Sequence, residues 1–175
     1  MNDLDSFRSY FGRLATPRDF MWITIIWLFG VVLRKRLSKS LGVSVNRYLL
    51  INLAFAGLLG LSLRFWVLVG TLSTFWLIAP ELWSNPFSLN ANFLLNVCLY
   101  FPPAFLLVLA GRSWWGSAIF FCCLSFTIET IQQYARIGQG DPIDWFANSF
   151  GAVLGIAAGL ILRLVLPKLT KLEGK

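Results

Sequence analysis

Three long apolar runs fill the C-terminal half of this chain: Phe93 to Ala110, Trp114 to Gln133 and Ile143 to Val165. Each is close to the ~20 residues that a helix needs to cross a bilayer. The breaks between them are short and polar. Two more apolar stretches precede them, Phe20 to Leu33 and Tyr48 to Ala79, the latter interrupted by Arg64. Across all 175 residues, 57% are hydrophobic and only 13% are charged. A soluble domain carries about 25% charged residues, and a mean hydropathy of +0.69 is too high for a water-facing surface. An ordinary soluble enzyme and a disordered segment are both excluded. The expected fold is all-α, a polytopic transmembrane helical bundle with a four-helix core and a short or interfacial N-terminal helix. Three regions are expected: residues 1–47 with a basic cluster, a transmembrane domain over 48–166, and a basic tail over 167–175.

The shorter runs set limits on the spans. Phe20 to Leu33 would make a helix of about 21 Å, short for a hydrocarbon core of about 30 Å. Tyr48 to Ala79 would make one of about 48 Å, so it must tilt, bend or divide near Ser62 to Arg64; a single bent span is the favoured reading. No small-residue cleavage site follows the first run, so a cleavable signal peptide is not expected.

Charge assigns the two sides. Lys and Arg total 15 against 8 Asp and Glu, a formal charge of +7. The basic residues flank apolar runs, as in anchoring to anionic leaflets, and a nucleic-acid partner is not expected. Arg34, Lys35, Arg36, Lys39 and Arg47 form one cluster, and Arg163, Lys168, Lys171 and Lys175 form another. The positive-inside rule places both in the cytoplasm, with the C-terminus and the turn at Arg112. The loop Pro80 to Asn92 has no Lys or Arg and belongs outside. A multi-pass protein of the cell membrane is expected, with membrane lipid as its first partner.

The polar residues within the spans carry the functional signal. Ser125, Glu129, Gln132 and Arg136 recur at helical spacing and make one stripe. Asp144, Asn148, Gly151, Gly155 and Gly159 make another. Asn96 lies in the first turn of its span, with Pro102 and Pro103 deeper. Because successive spans run antiparallel, these groups converge at one face, which the charge rule makes extracytoplasmic. A carboxylate at the centre of a spanning helix costs roughly 3 kcal/mol to insert. Glu129 therefore needs a partner or water, and Arg136 and Asn148 are the expected partners. Gly151, Gly155 and Gly159 form a small-residue packing face, and the last two spans are expected to pack as a hairpin. Asp144 on its own is equally well read as an interfacial first-turn acid.

Other chemistry is limited by composition. There is no His, which removes His triads, His metal sites and His proton shuttles. Cys98, Cys122 and Cys123 sit in apolar segments without CxxC spacing and read as apolar filler. No metal and no cofactor is expected.

The stretch from Asn96 to Pro102, with Phe105-Leu-Leu after it, resembles the N-x-x-x-F-x-P-x-G-F-x-L segment of the VanZ-like family. Ala104 stands where that family usually has Gly. Ser125-Phe-Thr-Ile-Glu129-Thr-Ile-Gln132 resembles its S-x-x-I-E-x-x-Q segment. Arg136, Asp144, Asn148, Gly151 and Gly155 follow in the order of its R…D-x-x-x-N-x-x-G-x-x-x-G segment. The resemblance spans roughly residues 65–166 and implies a small polytopic bacterial membrane protein with an envelope role, affecting tolerance to wall-directed antibiotics. It does not supply a reaction.

Three functions fit these readings. In the first, Asn96, Ser125, Glu129, Gln132, Arg136, Asp144 and Asn148 bind or modify a lipid-linked or peptidoglycan-related molecule, Arg136 contacts an anion, and Glu129 or Asp144 is the candidate general base. The second is a proton-coupled small-molecule transporter, disfavoured because the polar groups lie near one face and no inverted repeat is evident. The third is a non-catalytic assembly partner, and a homo-oligomer is compatible with its glycine faces. These residues fit an enzyme and a non-catalytic protein alike.

Overall fold

In the computed structural model, residues 17–63, 91–135 and 140–165 are described. They form six helices and no strand: α1 Pro17–Val32, α2 Arg34–Leu41, α3 Val45–Ser62, α4 Ala91–Leu109, α5 Trp114–Tyr134 and α6 Pro142–Val165. Among the described residues, α3 to α6 combine the length and apolar composition to cross a membrane. This is the expected four-helix core with a short N-terminal helix.

Local chemistry sets the ends. Ser44 begins α3 by accepting from the Arg47 N–H at 3.4 Å, and Ser113 begins α5 by accepting from Gly116 at 3.5 Å. Each satisfies one of the donors orphaned at a helix start. Gly42 closes α2 with φ of 60°, a left-handed conformation that glycine adopts without strain. At the far end of α3 the backbone leaves helical geometry at Leu63. The helix thus stops at the point where Tyr48 to Ala79 was expected to bend or divide. Arg64 and the remainder of that stretch lie outside the described residues.

α1 runs antiparallel along α3. The Tyr48 hydroxyl donates to the Gly30 carbonyl at 3.1 Å, and Asn52 Nδ2 donates to the Trp27 carbonyl at 2.9 Å. Farther along, Gly60 lies against Ile23. Interhelical polar contacts of this kind contribute about 0.6–2 kcal/mol each in a bilayer.

The tightest pairing joins α4 and α6. A Cβ on Gly151 would lie 2.7 Å from Val97 Cα, one on Gly155 would lie 3.1 Å from Phe105 N, and one on Gly159 would lie 3.1 Å from Phe105 O. The glycine face therefore receives the backbone of α4. This corrects the expectation that it serves the α5–α6 hairpin. Those two helices do pack as expected, through Trp145 Nε1, which donates to the Cys122 carbonyl at 3.2 Å, and through Asn148 one turn before the first of these glycines. Helical period identifies a face, and only the three-dimensional arrangement identifies its neighbour.

All four spanning helices contribute to the core: Leu58 from α3, Tyr100, Ala104 and Val108 from α4, Phe121 and Ile128 from α5, and Ala152 and Ile156 from α6. Phe55 stacks on Phe121 at 5.7 Å, and Tyr100 meets the Phe121 edge at 6.2 Å. The exterior is also apolar, with Leu50, Ile119, Val153 and Ile161 exposed. On a soluble protein such a surface would be a liability; on spanning helices it contacts lipid.

Two arginines tie the bundle together at one end. Arg112 Nη2 donates to the Ser40 carbonyl at 3.4 Å and also to the Leu41 carbonyl. Arg163 Nη1 donates to the Val108 carbonyl at 3.4 Å. Both cations meet carbonyls in the last turn of a helix, where the dipole favours positive charge.

Candidate functional site

At the opposite end, α3, α4, α5 and α6 bring their polar residues together. Glu129, on α5, is only 2% exposed. Its Oε1 accepts from Asn148 Nδ2 on α6 at 3.4 Å, and its Oε2 accepts from the Asp141 backbone N–H at 3.1 Å. Asn148 Nδ2 also donates to Ser125 Oγ at 3.0 Å. One buried amide thus joins two positions of the α5 stripe to α6. Asp144 and Asp141 lie within electrostatic reach of Glu129, and the Asn96 side chain of α4 approaches Asp144. Asn96, Ser125, Glu129, Asp144 and Asn148 therefore form one cluster.

Gln132 points elsewhere. Its Nε2 donates to the Ser62 carbonyl at 2.6 Å, fastening the end of α5 to the end of α3. That contact satisfies a carbonyl orphaned at a helix terminus. Arg136, the expected cationic partner of Glu129, lies outside the described residues. Among the described residues no Lys or Arg pairs with Glu129, Asp141 or Asp144, and no group of His, Cys, Asp and Glu has the arrangement of a metal site.

Asp141 and Tyr100 belong to the cluster although neither stood out in the sequence. Asp141 precedes Pro142, the first residue of α6, and its Oδ1 accepts from the Ile143 N–H at 2.8 Å. An aspartate followed by proline at a helix start is a capping signal, and this was the available clue. Burial holds the Asp141 carboxyl above the ordinary aspartate range, and the backbone N–H groups of Ile143 and Asp144 draw it partway back. Tyr100 is fully buried on α4. Its hydroxyl approaches Ser125 and Glu129 but meets the geometry of a hydrogen bond with neither. A tyrosine in an apolar run resembles any core aromatic until its neighbours are known.

Two buried polar atoms in the cluster lack a protein partner: Asn148 Oδ1 and the Tyr100 hydroxyl. Buried polar atoms are nearly always paired, and leaving one unpaired costs about 1–3 kcal/mol. Of these two atoms the amide oxygen can only accept and the hydroxyl can accept or donate, beside carboxylates with lone pairs left over from the donors they already hold. Such a lining suits a ligand that offers N–H or O–H donors.

These features define a small multi-pass membrane protein, a bundle of apolar helices with a partly buried acidic and amide cluster near one end. The family model of VanZ/LLP1 matches residues 20–163. The chain belongs to the VanZ/LLP1 family. The match reaches well upstream of residue 65, where the sequence resemblance was expected to begin, and takes in α1, α2 and α3. The short N-terminal helix and its α3 partner are thus part of the family unit. No curated protein and no solved structure matches the chain.

Proposed function

We propose that the cluster around Glu129 faces the extracytoplasmic side and binds a polar envelope molecule, lipid-linked or derived from peptidoglycan, and that this binding alters tolerance to wall-directed antibiotics. The observation that carries the reading is the pair of buried unpartnered atoms, Asn148 Oδ1 and the Tyr100 hydroxyl, beside a carboxylate already held by two donors. A ligand presenting hydroxyl, amide or ammonium donors would satisfy them. Arg136 is assigned to an anionic part of the same ligand. The side follows from charge: α2 carries Arg34, Lys35, Arg36 and Lys39 at the Arg112 end of the bundle, and the acidic cluster lies at the other. This orientation leaves the C-terminus in the cytoplasm.

A transport route is less well supported. On α5, Ser117, Phe121 and Ser125 follow one another at four-residue spacing, and Phe121 is fully buried with Leu58, Ala104 and Val108. That apolar layer separates the polar groups at the two ends.

The test compares wild type with Glu129→Gln and Asp144→Asn in cells challenged with a glycopeptide antibiotic. Membrane insertion is verified for each variant, and lipid-linked wall precursors that co-purify are measured. Both variants are expected to insert, to lose the tolerance phenotype and to lose the co-purified precursor. Inserted variants that keep both would overturn the reading and favour an assembly role.

A further inference from the structure

A recess lies at the Arg112 end, between α3 and α5. It has a volume of about 710 Å³, within the range of sites that take a small ligand. Its walls are apolar, with Ile51, Phe55, Leu107 and Phe120, and its mouth is polar, with Ser40 and Arg112. We propose that this recess binds one anionic phospholipid, with an acyl chain against the apolar walls and the phosphate between Arg112 and the basic face of α2.

Four observations support this occupant. First, charge is complementary. Lys35, Arg36 and Lys39 are exposed on the helix whose last residues form the mouth. Anionic headgroups are attracted to such clusters at a membrane surface. Second, Arg112 has donors to spare. A guanidinium carries five N–H groups, and among the described residues Arg112 donates through Nη2 alone, to the Ser40 and Leu41 carbonyls. Third, Ser117 lines the recess at 3% exposure, and its Oγ has no protein partner. A glycerol or ester oxygen that reached it would supply the missing acceptor. Fourth, depth is fixed by Trp114 and Trp115. They are 57% and 60% exposed and directly follow the Arg112 turn, and exposed tryptophans mark the headgroup level. The polar mouth therefore sits where a phosphate lies and the apolar walls where acyl chains lie. A soluble anion would not use those walls.

The test is native mass spectrometry of the full chain in detergent, titrated with phosphatidylglycerol or with phosphatidylcholine of the same chains. Wild type is expected to retain its first phosphatidylglycerol at least about fivefold more tightly than phosphatidylcholine, the factor corresponding to one surface cation. Arg112→Gln is expected to remove the preference and Arg112→Lys to keep it. Because Arg112 also anchors α2, the combined variant Lys35→Gln, Arg36→Gln, Lys39→Gln provides a check confined to exposed positions; it too is expected to lower the preference. Gly116→Leu fills the recess. A Cβ there would meet nothing nearer than Ser113 Cβ at 3.7 Å, so the fold accommodates the change while the first bound lipid of either class is lost. Equal retention of the two lipids by wild type would overturn the proposal. So would unchanged retention in Gly116→Leu, or no retained lipid at all, as when a second copy or the chain's own tail fills the recess.

Discussion

The backbone N–H of Asp141 donates to Oε2 of Glu129 at 3.1 Å, so a buried carboxylate of α5 holds the residue that caps α6. Glu129 is therefore a structural acceptor as well as the centre of the candidate site. Any loss of phenotype in a Glu129 variant has to be compared with its stability.

Replacing Glu129 with Leu removes the acceptor of both the Asp141 N–H and Asn148 Nδ2. An unpaired buried donor costs about 1–3 kcal/mol, so Glu129→Leu is expected to lower the unfolding temperature in detergent clearly. Glu129→Gln keeps one carbonyl oxygen for Asp141 and is expected to lose less. The comparison is made by thermal unfolding monitored with fluorescence-detected size exclusion. Equal melting of Glu129→Leu and wild type would show that the two hydrogen bonds contribute no stability.

The α4–α6 contact predicts position-dependent effects of alanine. At Gly151 a methyl group would lie 2.7 Å from Val97 Cα, a backbone atom that cannot rotate away. Overpacking of this kind costs about 1–3 kcal/mol. At Gly57 a Cβ would meet nothing within 4 Å, and alanine is favoured over glycine in a helix interior by up to about 1 kcal/mol. Gly151→Ala is expected to melt earlier than wild type and Gly57→Ala at the same temperature or later. Two equal shifts would contradict the close approach of α4 to α6.

Several parts of this arrangement were legible in the sequence, because spanning runs and helical spacing leave direct traces. The spacing of Ser125 and Glu129, and of Asn148 and the glycines, identifies faces that the structure buries. Periodicity says nothing about which helix covers a face, and for that reason it does not show that α4, and not α5, occupies the glycines. Gln132 shared the period of Glu129, yet one further step around the helix turned it to Ser62. Asp141 is one polar residue of a short loop in the sequence, and its capping role depends on the backbone geometry that brings the Ile143 N–H to its Oδ1. The Arg112 recess could not be read at all, since it arises from the gap between α3 and α5 and from no motif in either.

Asp141 makes stability depend on pH in a defined direction. Burial raises its carboxyl above the ordinary aspartate range, so the folded state holds the proton more tightly than the unfolded chain does. Its favourable contribution is complete below the unfolded pKa of about 3.9 and is lost as pH rises through the raised folded value. Asp141→Asn keeps a good capping side chain and has no proton to lose. The variant and wild type are expected to melt together in acid, with the variant higher at neutral pH. A constant difference at every pH would show that Asp141 does not titrate between the two states.

Sidedness is open to a direct chemical test. Lys39 is exposed on α2 at the Arg112 end, and Tyr134, 70% exposed, closes α5 at the Glu129 end. Cys98, Cys122 and Cys123 are all free thiols, so the background for labelling is the variant with these three changed to Ser or Ala. In intact cells, a membrane-impermeant maleimide is expected to label Tyr134→Cys and to reach Lys39→Cys only after the membrane is opened. The basic helix would then be cytoplasmic, and the acidic cluster would open toward the wall. The reverse pattern would place Glu129, Asp141 and Asp144 on the cytoplasmic side, out of reach of any extracytoplasmic precursor. The proposed envelope ligand would fall, whereas the phospholipid site at Arg112 would stand, because its charge and depth arguments hold in either leaflet.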